Sequence, residues 1–219
     1  MEAQLHTLIP DAMHRQGLKD EHLGARLQEV DPTIMAKVRP YVDQVLAHPR
    51  HPSAGFGLIG KTGRGKSHCM AAVSMSWAYR SAKAQLQTNP ALLTGWCPRW
   101  ANWQRTLSHL KSLMREPHGA LQDALQALWT APVLVLDDLG AEQAPKNDPD
   151  TNWAITEVLF PIVDERNGVG RTTLWTSNLS EDELIDRYKV RIASRLFGMA
   201  PAVEMPAHLL DRRILGAQQ

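Results

Sequence analysis

A glycine loop carries the strongest chemical signal in the sequence. It reads Gly60, Lys61, Thr62, Gly63, Arg64, Gly65, Lys66 and Ser67. A loop nearly free of side chains lets successive backbone N–H groups point at one polyphosphate. Lys66 would then reach the β- and γ-phosphate oxygens, and the Ser67 hydroxyl would ligate Mg²⁺. The alternative is a chance match in a glycine-bearing turn. Because an apolar strand is predicted before the loop and a helix after it, as this motif requires, we predict a site for ATP and Mg²⁺.

Two consecutive aspartates, Asp137 and Asp138, form the second candidate group. They follow the apolar run at 133–136, which is typical of a buried parallel strand, and the C-terminal ends of such strands are where open α/β sheets bind ligands. Asp137 would hold Mg²⁺ through water, and Asp138 would polarise the water that attacks the γ-phosphate. The alternative is turn chemistry, since the sequence DDLG also suits a turn or a helix cap.

The elements that must position these groups alternate between strand and helix. Asp31 followed by Pro32 is a helix start signal, and apolar residues then recur at helical spacing. We predict strands at 56–59, 92–96, 133–136 and 172–176, and helices at 65–83, 100–115, 119–129 and 151–166, with three short helical stretches after the last strand. This alternation predicts an α/β fold, in which a parallel sheet is flanked by helices on both faces.

Composition limits the class of protein. A chain of 219 residues can bury one full core with a small appendage, and its net charge of +1 predicts no general attraction to nucleic acid or membranes. Any DNA contact must therefore use a local patch. The two cysteines, Cys69 and Cys97, lack the spacing of a zinc site or a redox pair. No apolar run approaches the roughly 20 residues of a membrane span and the N-terminus has no signal-peptide pattern, so we expect a cytoplasmic protein without a membrane partner.

Four motifs in order carry a family resemblance: GKTGRGKSH, APVLVLDDLGAE, TTLWTSNLSEDEL and RIASRL. Together they resemble the AAA+ ATPases of the bacterial helicase-loader family, the DnaC/DnaI type, in a clade that also holds the transposition helper IstB. The resemblance spans about residues 32–215. It implies a P-loop AAA+ domain at 32–219 with a much reduced C-terminal lid, preceded by a short helical N-terminal extension at 1–31. It also implies ATP and Mg²⁺ as ligands, self-association through the ATP site, and work on DNA-bound machinery.

The resemblance also gives roles to residues outside the glycine loop. Asn178 matches the sensor-1 position, where an amide bridges the γ-phosphate and the attacking water; a strand-ending turn residue is the alternative. Arg195 matches the arginine finger, which stabilises transition-state charge on a neighbouring subunit's γ-phosphate. Arg191, one helical turn earlier, is the second candidate for that role. For both arginines the alternative is a surface salt bridge.

Other basic residues near the motifs have more than one interpretation. Arg213 falls where the family places its sensor-2 arginine, with Arg212 as the neighbouring candidate, and the same stretch also reads as a basic, frayed tail. Arg64, inside the glycine loop, is the alternative to Arg195 as a finger that acts in cis. His68, directly after the loop, we interpret as structural.

The chain departs from the family pattern in two places. Only about 30 residues precede the AAA+ core, without the zinc ligands of DnaI-type loaders, which leaves a transposase as the alternative to a helicase partner. Asp138 stands where many AAA+ proteins have glutamate, and its shorter reach to water predicts slow turnover. The segment from Trp96 to Arg105 interleaves aromatic and basic residues, as single-strand binders do. Trp100 and Trp103 also have helical spacing, so packing is the simpler account.

We therefore predict a slow ATPase, stimulated by assembly or DNA, that acts in DNA replication as a helicase-loader-like factor. ATP-bound protomers would assemble on single-stranded DNA or on a hexameric replicative helicase and release on hydrolysis. A transposition helper that works on duplex DNA and recruits a transposase is one alternative, and an ATP-gated binding switch with little turnover is another. A small-molecule kinase, a different P-loop class, leaves the sensor and finger motifs unexplained.

Overall fold

A computed structural model describes residues 2–48, 54–88, 96–116, 119–142, 149–209 and 211. Its strands are β1 Phe56–Ile59, β2 Arg99–Asn102, β3 Val133–Leu139, β4 Thr172–Ser177 and β5 Ala202–Glu204. Its α-helices are α1 Glu2–Arg15, α2 Pro32–Ala47, α3 Lys66–Thr88, α4 Trp103–Leu113, α5 Ala120–Thr130, α6 Pro149–Trp153, α7 Phe160–Gly168 and α8 Glu181–Met199. A π-helical stretch, Ala154–Leu159, joins α6 to α7, and two 3-10 turns, Asp20–His22 and Leu27–Glu29, lie between α1 and α2.

All the strands run parallel, in the order β2-β3-β4-β1-β5. β4 therefore separates β1, which precedes the glycine loop, from β3, which carries the two aspartates. Side chains of β3 alternate between two buried clusters. Val133 and Val135 pack with α1, α2 and α3, whereas Leu134 and Leu136 pack with α4, α5, α7 and α8. Since helices cover both faces of the sheet, the continuous apolar run of β3 is explained, and the predicted α/β fold is confirmed.

The helices begin close to where the sequence predicts them. At the start of α2, the Asp31 side chain accepts a hydrogen bond from Thr33 N at 2.9 Å, and Pro32 occupies the first helical position. The buried face of α2 consists of Ile34, Val38, Val42, Val45 and Leu46, the apolar residues at helical spacing. In the part of the chain that the structure describes, no helix combines the length and the apolar character needed to cross a bilayer.

The segment between α1 and α2 runs along the outer edge of strand β2. Trp100 N donates to Gln16 O at 2.9 Å, and Gly17 follows with a φ of +99°. A Cβ on Gly17 would lie 2.4 Å from Trp100 O, so this close approach requires glycine. α1 itself belongs to the same apolar cluster as α2 and α3. The division of the chain into an extension at 1–31 and a domain at 32–219 stays a prediction.

The second strand differs from its predicted position. The strand predicted at 92–96 lies outside the described residues except for Trp96, which is not in a strand. Strand β2 is instead Arg99–Asn102, so the helix predicted from residue 100 begins at Trp103. Trp100 and Trp103 are therefore not on one helix, although both side chains are buried. The helical spacing was misleading because Trp100 is covered by the N-terminal segment, a long-range contact that local periodicity does not reveal.

The end of the chain also differs from the prediction of three short helical stretches. α8 runs over Glu181–Met199 with one break at Lys189, where φ is 69° and ψ is 152°. A short strand follows, β5, which pairs with β1. A strand of three residues next to Pro201 is too short to show an alternation of apolar and polar residues. The sequence pattern therefore did not predict β5. Through β5, the C-terminal segment reaches the glycine loop.

Candidate nucleotide site

The glycine loop connects β1 to α3, as predicted, and it encloses the lysine side chain. Gly63 and Gly65 have φ values of 78° and 89°, which a residue with a Cβ adopts at a cost. Lys66 Nζ donates to Gly60 O at 2.6 Å, to Lys61 O at 3.0 Å and to Asn178 Oδ1 at 2.7 Å. The loop residues and the sensor-1 candidate therefore meet at one ammonium group.

A chain of hydrogen bonds joins the loop to the two aspartates. Asp137 Oδ1 accepts from Ser67 Oγ at 2.8 Å and from Thr176 Oγ1 at 2.8 Å. Thr176 Oγ1 in turn accepts from Asp138 N at 2.9 Å. Ser67 and Asp137 thus bring together a hydroxyl and a carboxylate oxygen, the hard donors that Mg²⁺ prefers, at the end of a phosphate loop. The residues present fit the predicted metal.

Strand β3 carries a bulge at the aspartates. Leu136 is paired with Trp175 and Leu139 with Ser177, so β3 has one residue more than β4 between these pairs. Asp138, inside the bulge, has a φ of 61°, in the left-handed region. Such a conformation costs on the order of 1 kcal/mol in a residue with a Cβ, and aspartate tolerates it better than most. The bulge turns Asp138 towards the cavity that it lines.

A cavity of about 270 Å³ lies at this point, and residues from four parts of the chain line it. The predicted site residues in its wall are Thr62, Gly63, Gly65, Lys66, Ser67, Asp138 and Asn178. The wall also contains Glu21, His22 and His68. Glu21 and His22 were missed by sequence reasoning, because they precede the loop by some 40 residues and no spacing rule connects them to it. His68, interpreted as structural, also borders the cavity.

His22 is held among aromatic rings. Its ring centroid lies 6.2 Å from that of His68 and 6.3 Å from that of Trp100. Burial lowers the pKa of His22, which the neighbouring Glu21 carboxylate opposes. Burial therefore favours the neutral form of the imidazole. His68 also lies close to Glu29, with 3.9 Å between Nε2 and Oε2.

The C-terminal segment borders the loop from the opposite side. Arg64 donates to Pro206 O at 3.4 Å and to Ala207 O at 3.1 Å. Met205 N donates to Ile59 O at 2.9 Å. The Arg64 side chain is thus directed to these carbonyl oxygens. The sensor-2 candidates, Arg213 and Arg212, lie outside the described residues.

The finger candidates do not line this cavity. Arg195, on the second half of α8, forms an ion pair with Asp164 of α7, with 2.8 Å between Nε and Oδ1. It also donates to Arg191 O at 3.1 Å. The Arg191 guanidinium lies 4.4 Å from the ring centroid of Phe160. The surface salt bridge considered for Arg195 is therefore present, and its role as a finger stays a prediction.

Glu142 connects the loop after β3 to α8, a link that sequence reasoning did not identify. Arg187 donates to Glu142 Oε1 and to Glu142 O, both at 2.7 Å. Tyr188 Oη donates to the same Oε1 at 2.9 Å. These contacts hold the two residues that immediately precede the break at Lys189. The chain that carries Asp138 is thus coupled to the helix that carries the finger candidates.

A basic groove, defined by Arg15, Lys19, Arg99, Arg105 and His109, follows the outer edge of β2. It comprises two cavities of about 450 and 330 Å³ whose walls share Arg15 and Arg99. Among the described residues that line them there is no carboxylate. Burial lowers the pKa of Arg99, and the neighbouring Cys97 opposes this effect. The groove therefore has the electrostatic character of an anion site.

The strand order, the glycine loop after the first strand and the paired aspartates on the third strand agree with the predicted AAA+ fold. No family model matches the chain. Among curated proteins it is similar to the replicative helicase loader DnaI of Bacillus subtilis, with 27% identity over 171 residues, which is 76% of this chain and 48% of that protein. The chain thus spans about half the length of the curated relative that it matches.

Solved structures share the fold. The DnaC helicase loader superposes with a TM-score of 0.66 at 21% identity, covering 86% of this chain and 100% of that one. A DnaI structure superposes with a TM-score of 0.64 at 22% identity, covering 88% of this chain and 94% of that one. The replication initiator DnaA, bound to AMPPCP and single-stranded DNA, gives 0.62 at 14% identity, covering 92% and 55%. The resemblance carried by the four motifs is therefore confirmed by a sequence relative and by the fold.

Proposed function

We propose that this protein binds and hydrolyses ATP with Mg²⁺ and acts in DNA replication as a helicase-loader-like factor. The observation that carries the proposal is the set of hydrogen bonds that joins Lys66 to Asn178 and Ser67 to Asp137 around one cavity. The sequence relationship to a replicative helicase loader supports the same function, over about half of that relative.

Each residue at the cavity has a role that its position allows. Lys66 would exchange the carbonyl oxygens of its own loop for phosphate oxygens, and the loop N–H groups would donate to the same phosphates. Ser67 and Asp137 would hold Mg²⁺, which when bound neutralises charge on the β- and γ-phosphates. Asp138 would orient the attacking water and accept its proton, and the Asn178 amide would align that water with the γ-phosphate.

Hydrolysis in this proposal needs two protomers. Arg195 does not line the cavity of its own chain, and its side chain is 32% exposed, which suits a group that completes a neighbour's site. Arg191 is the second candidate for that role. We also retain the proposal that Arg213 contacts the phosphates as a sensor-2 residue, because Asp211 lies beside the loop: a Cβ on Gly63 would be 1.9 Å from its Oδ1.

The partners in this proposal are a hexameric replicative helicase and DNA. The basic groove is the local patch that a chain of net charge +1 needs for a DNA contact. Proteins that bind single strands use positively charged grooves that follow the phosphate backbone, so we propose single-stranded DNA as the ligand of this groove.

Nucleotide titration tests the proposal. Lys66→Ala should weaken ATP binding by about a hundredfold or more, because charge-assisted hydrogen bonds to phosphate are lost. Lys83→Ala, on the exposed side of the same helix, is the matched control and should bind like the wild type. The measurement is calorimetry with ATP and Mg²⁺, with thermal melting to show that both variants fold. Equal affinity in Lys66→Ala and the control would remove the loop from the mechanism, and binding without turnover in the wild type would favour the switch.

A further inference from the structure

We propose that His22 belongs to the nucleotide site and that the N-terminal segment at 16–30 thereby makes the protein favour ATP over ADP. The His22 imidazole would hydrogen-bond at the terminal end of the triphosphate, to a γ-phosphate oxygen or to a water on Mg²⁺. This inference rests on the proposed nucleotide function and adds a residue that none of the four motifs contains.

The position of the Asp20–His22 turn indicates which end of the nucleotide it would meet. The turn lies beside Trp100 of β2, and the end of β2 pairs with Asp137 through Asn102. Ser67 meets Asp137 on this same side of the loop. The C-terminal segment, with its Arg64 contacts, borders the loop on the β5 side. His22 therefore lies at the end of the site where Ser67 and Asp137 would hold Mg²⁺.

The hydrogen bonding of His22 is incomplete. Within the described residues, its Nδ1 is buried and makes no hydrogen bond. Its Nε2 lies 3.6 Å from Glu21 Oε1, which is longer than a hydrogen bond. A buried polar atom without a partner costs about 1–3 kcal/mol, so such atoms in folded proteins usually mark a place for water, an ion or a ligand. Since Nδ1 has no exposed surface in this conformation, the imidazole ring, which lines the cavity, must turn for Nδ1 to meet a phosphate oxygen or a metal-bound water there.

Contacts with two other elements hold the N-terminal segment at 16–30, which carries His22, in place. Gln16 is bonded to β2, and Gly17 permits the close approach to Trp100. Further along, Glu29 lies near His68, which itself follows Ser67. The segment thus contacts both the edge strand and the first turn of α3.

The test compares affinities for a non-hydrolysable methylene analogue of ATP and for ADP. With Mg²⁺, His22→Ala should bind the ATP analogue about tenfold more weakly, the factor expected from one hydrogen bond to a charged group, and should bind ADP as the wild type does. His22→Asn places a nitrogen near the Nδ1 position and should restore most of the affinity, whereas His22→Gln, which mimics Nε2, should not. His6→Ala, on the exposed face of α1, is the control.

The possible outcomes distinguish the proposed role of His22 from the proposed nucleotide-binding function on which it rests. Weaker binding of both nucleotides by the same factor, or no change in the ratio of the two affinities, would overturn the role of His22 and leave the P-loop site standing. Failure of the wild type to bind either nucleotide would overturn the proposed function instead. Repeating the titration in EDTA distinguishes the two contacts: the His22 effect persists if the imidazole meets the γ-phosphate and disappears if it meets a metal-bound water.

Discussion

Thr176 is the residue on which the geometry of both aspartates depends. Its hydroxyl donates to Asp137 and accepts from the backbone of Asp138, so one side chain from β4 fixes the metal candidate and the catalytic candidate of β3. The bulge holds Asp138 with a positive φ, and the Thr176 hydroxyl offsets part of that strain. A substitution at Asp138 must therefore keep a residue that tolerates this backbone conformation.

Asp138→Asn meets that condition, because asparagine also adopts the left-handed region. The amide is nearly isosteric but a poor base, so hydrolysis should fall by about 10²-fold or more while ATP binding is retained. Steady-state phosphate release measures the hydrolysis rate, and calorimetry measures the affinity for ATP. Asp123→Asn, on the exposed side of α5, is the control. Hydrolysis near the wild-type rate in Asp138→Asn would exclude this carboxylate from the mechanism.

Some residues at the candidate site were predicted from the sequence and others were not. The two groups differ in what determines their positions. Lys66 and Ser67 were predictable because a strand, a loop and a helix that are contiguous in the chain position them. Asn178 was found only through the family resemblance. Thr176 could not be assigned a role, because its contact with the aspartates depends on the register between β3 and β4. His22 lies at the cavity because of the path of the N-terminal segment, which no local pattern encodes.

At the level of elements, α8 lies between the candidate nucleotide site and the proposed subunit contact, since it binds Glu142 and carries Arg195. Glu142 binds Arg187 and Tyr188 at the end of its first half, and the break at Lys189 sets the direction of its second half. Glu142 thus links the end of β3 to the half of α8 that precedes the break, and Arg195 lies on the half that follows it. The Arg195 guanidinium is now paired with Asp164, at a half-exposed position where such a pair contributes little stability. Breaking the ion pair between Arg195 and Asp164 would therefore cost little free energy.

If Arg195 acts in trans, activity per molecule should rise with protein concentration, because assembly creates complete sites. Arg195→Ala should bind ATP normally and hydrolyse it up to about 10³-fold more slowly. Mixing Arg195→Ala with Lys66→Ala should restore part of the activity, since an intact pocket on one chain meets an intact finger on the other. Phosphate release across a range of concentrations and mixing ratios provides the measurement.

Two variants serve as controls for the finger. Arg191→Ala identifies which of the two arginines acts, and Asp164→Asn frees Arg195 without removing it and should not reduce the rate. Activity that is independent of concentration, together with no recovery on mixing, would refute the trans arrangement. Arg64 in cis would then be the next candidate, although its side chain is bonded to the C-terminal segment.

At the scale of the whole molecule, charge is distributed unevenly. The net charge is only +1, yet the groove beside β2 gathers five basic side chains. No described carboxylate lines its two cavities, and Lys19 Nζ lies 3.8 Å from Glu21 Oε1. The tryptophans of this segment are buried, so base stacking on Trp100 or Trp103 does not occur in this conformation. Any binding of nucleic acid here would be to the phosphate backbone and hence sensitive to salt.

The double variant Arg15→Ala with Arg99→Ala should weaken binding to a labelled oligo-dT strand and lower the salt dependence of that binding. Each phosphate contact with a single strand contributes about 0.7 to the slope of log K against log salt, so the slope should fall by about 1.4. Fluorescence anisotropy between low and physiological salt measures both quantities. Arg39→Ala with Lys83→Ala, two basic residues elsewhere on the surface, should leave them unchanged. An unaltered slope in the groove variant, or tighter binding to duplex than to single strands, would contradict the assignment.

The strand order has a consequence for how the protein is made. β1, which leads into the phosphate loop, pairs only with strands from late in the chain: Phe56 lies opposite Leu174 in β4, and Gly57 opposite Ala202 in β5. At a synthesis rate of about 5–20 residues per second, this apolar strand leaves the ribosome several seconds before any neighbour exists. A chain without β4 and β5 therefore lacks the strands that pair with β1 beside the candidate nucleotide site. Until β4 and β5 have emerged, it exposes a strand that chaperones, proteases or other nascent chains can bind.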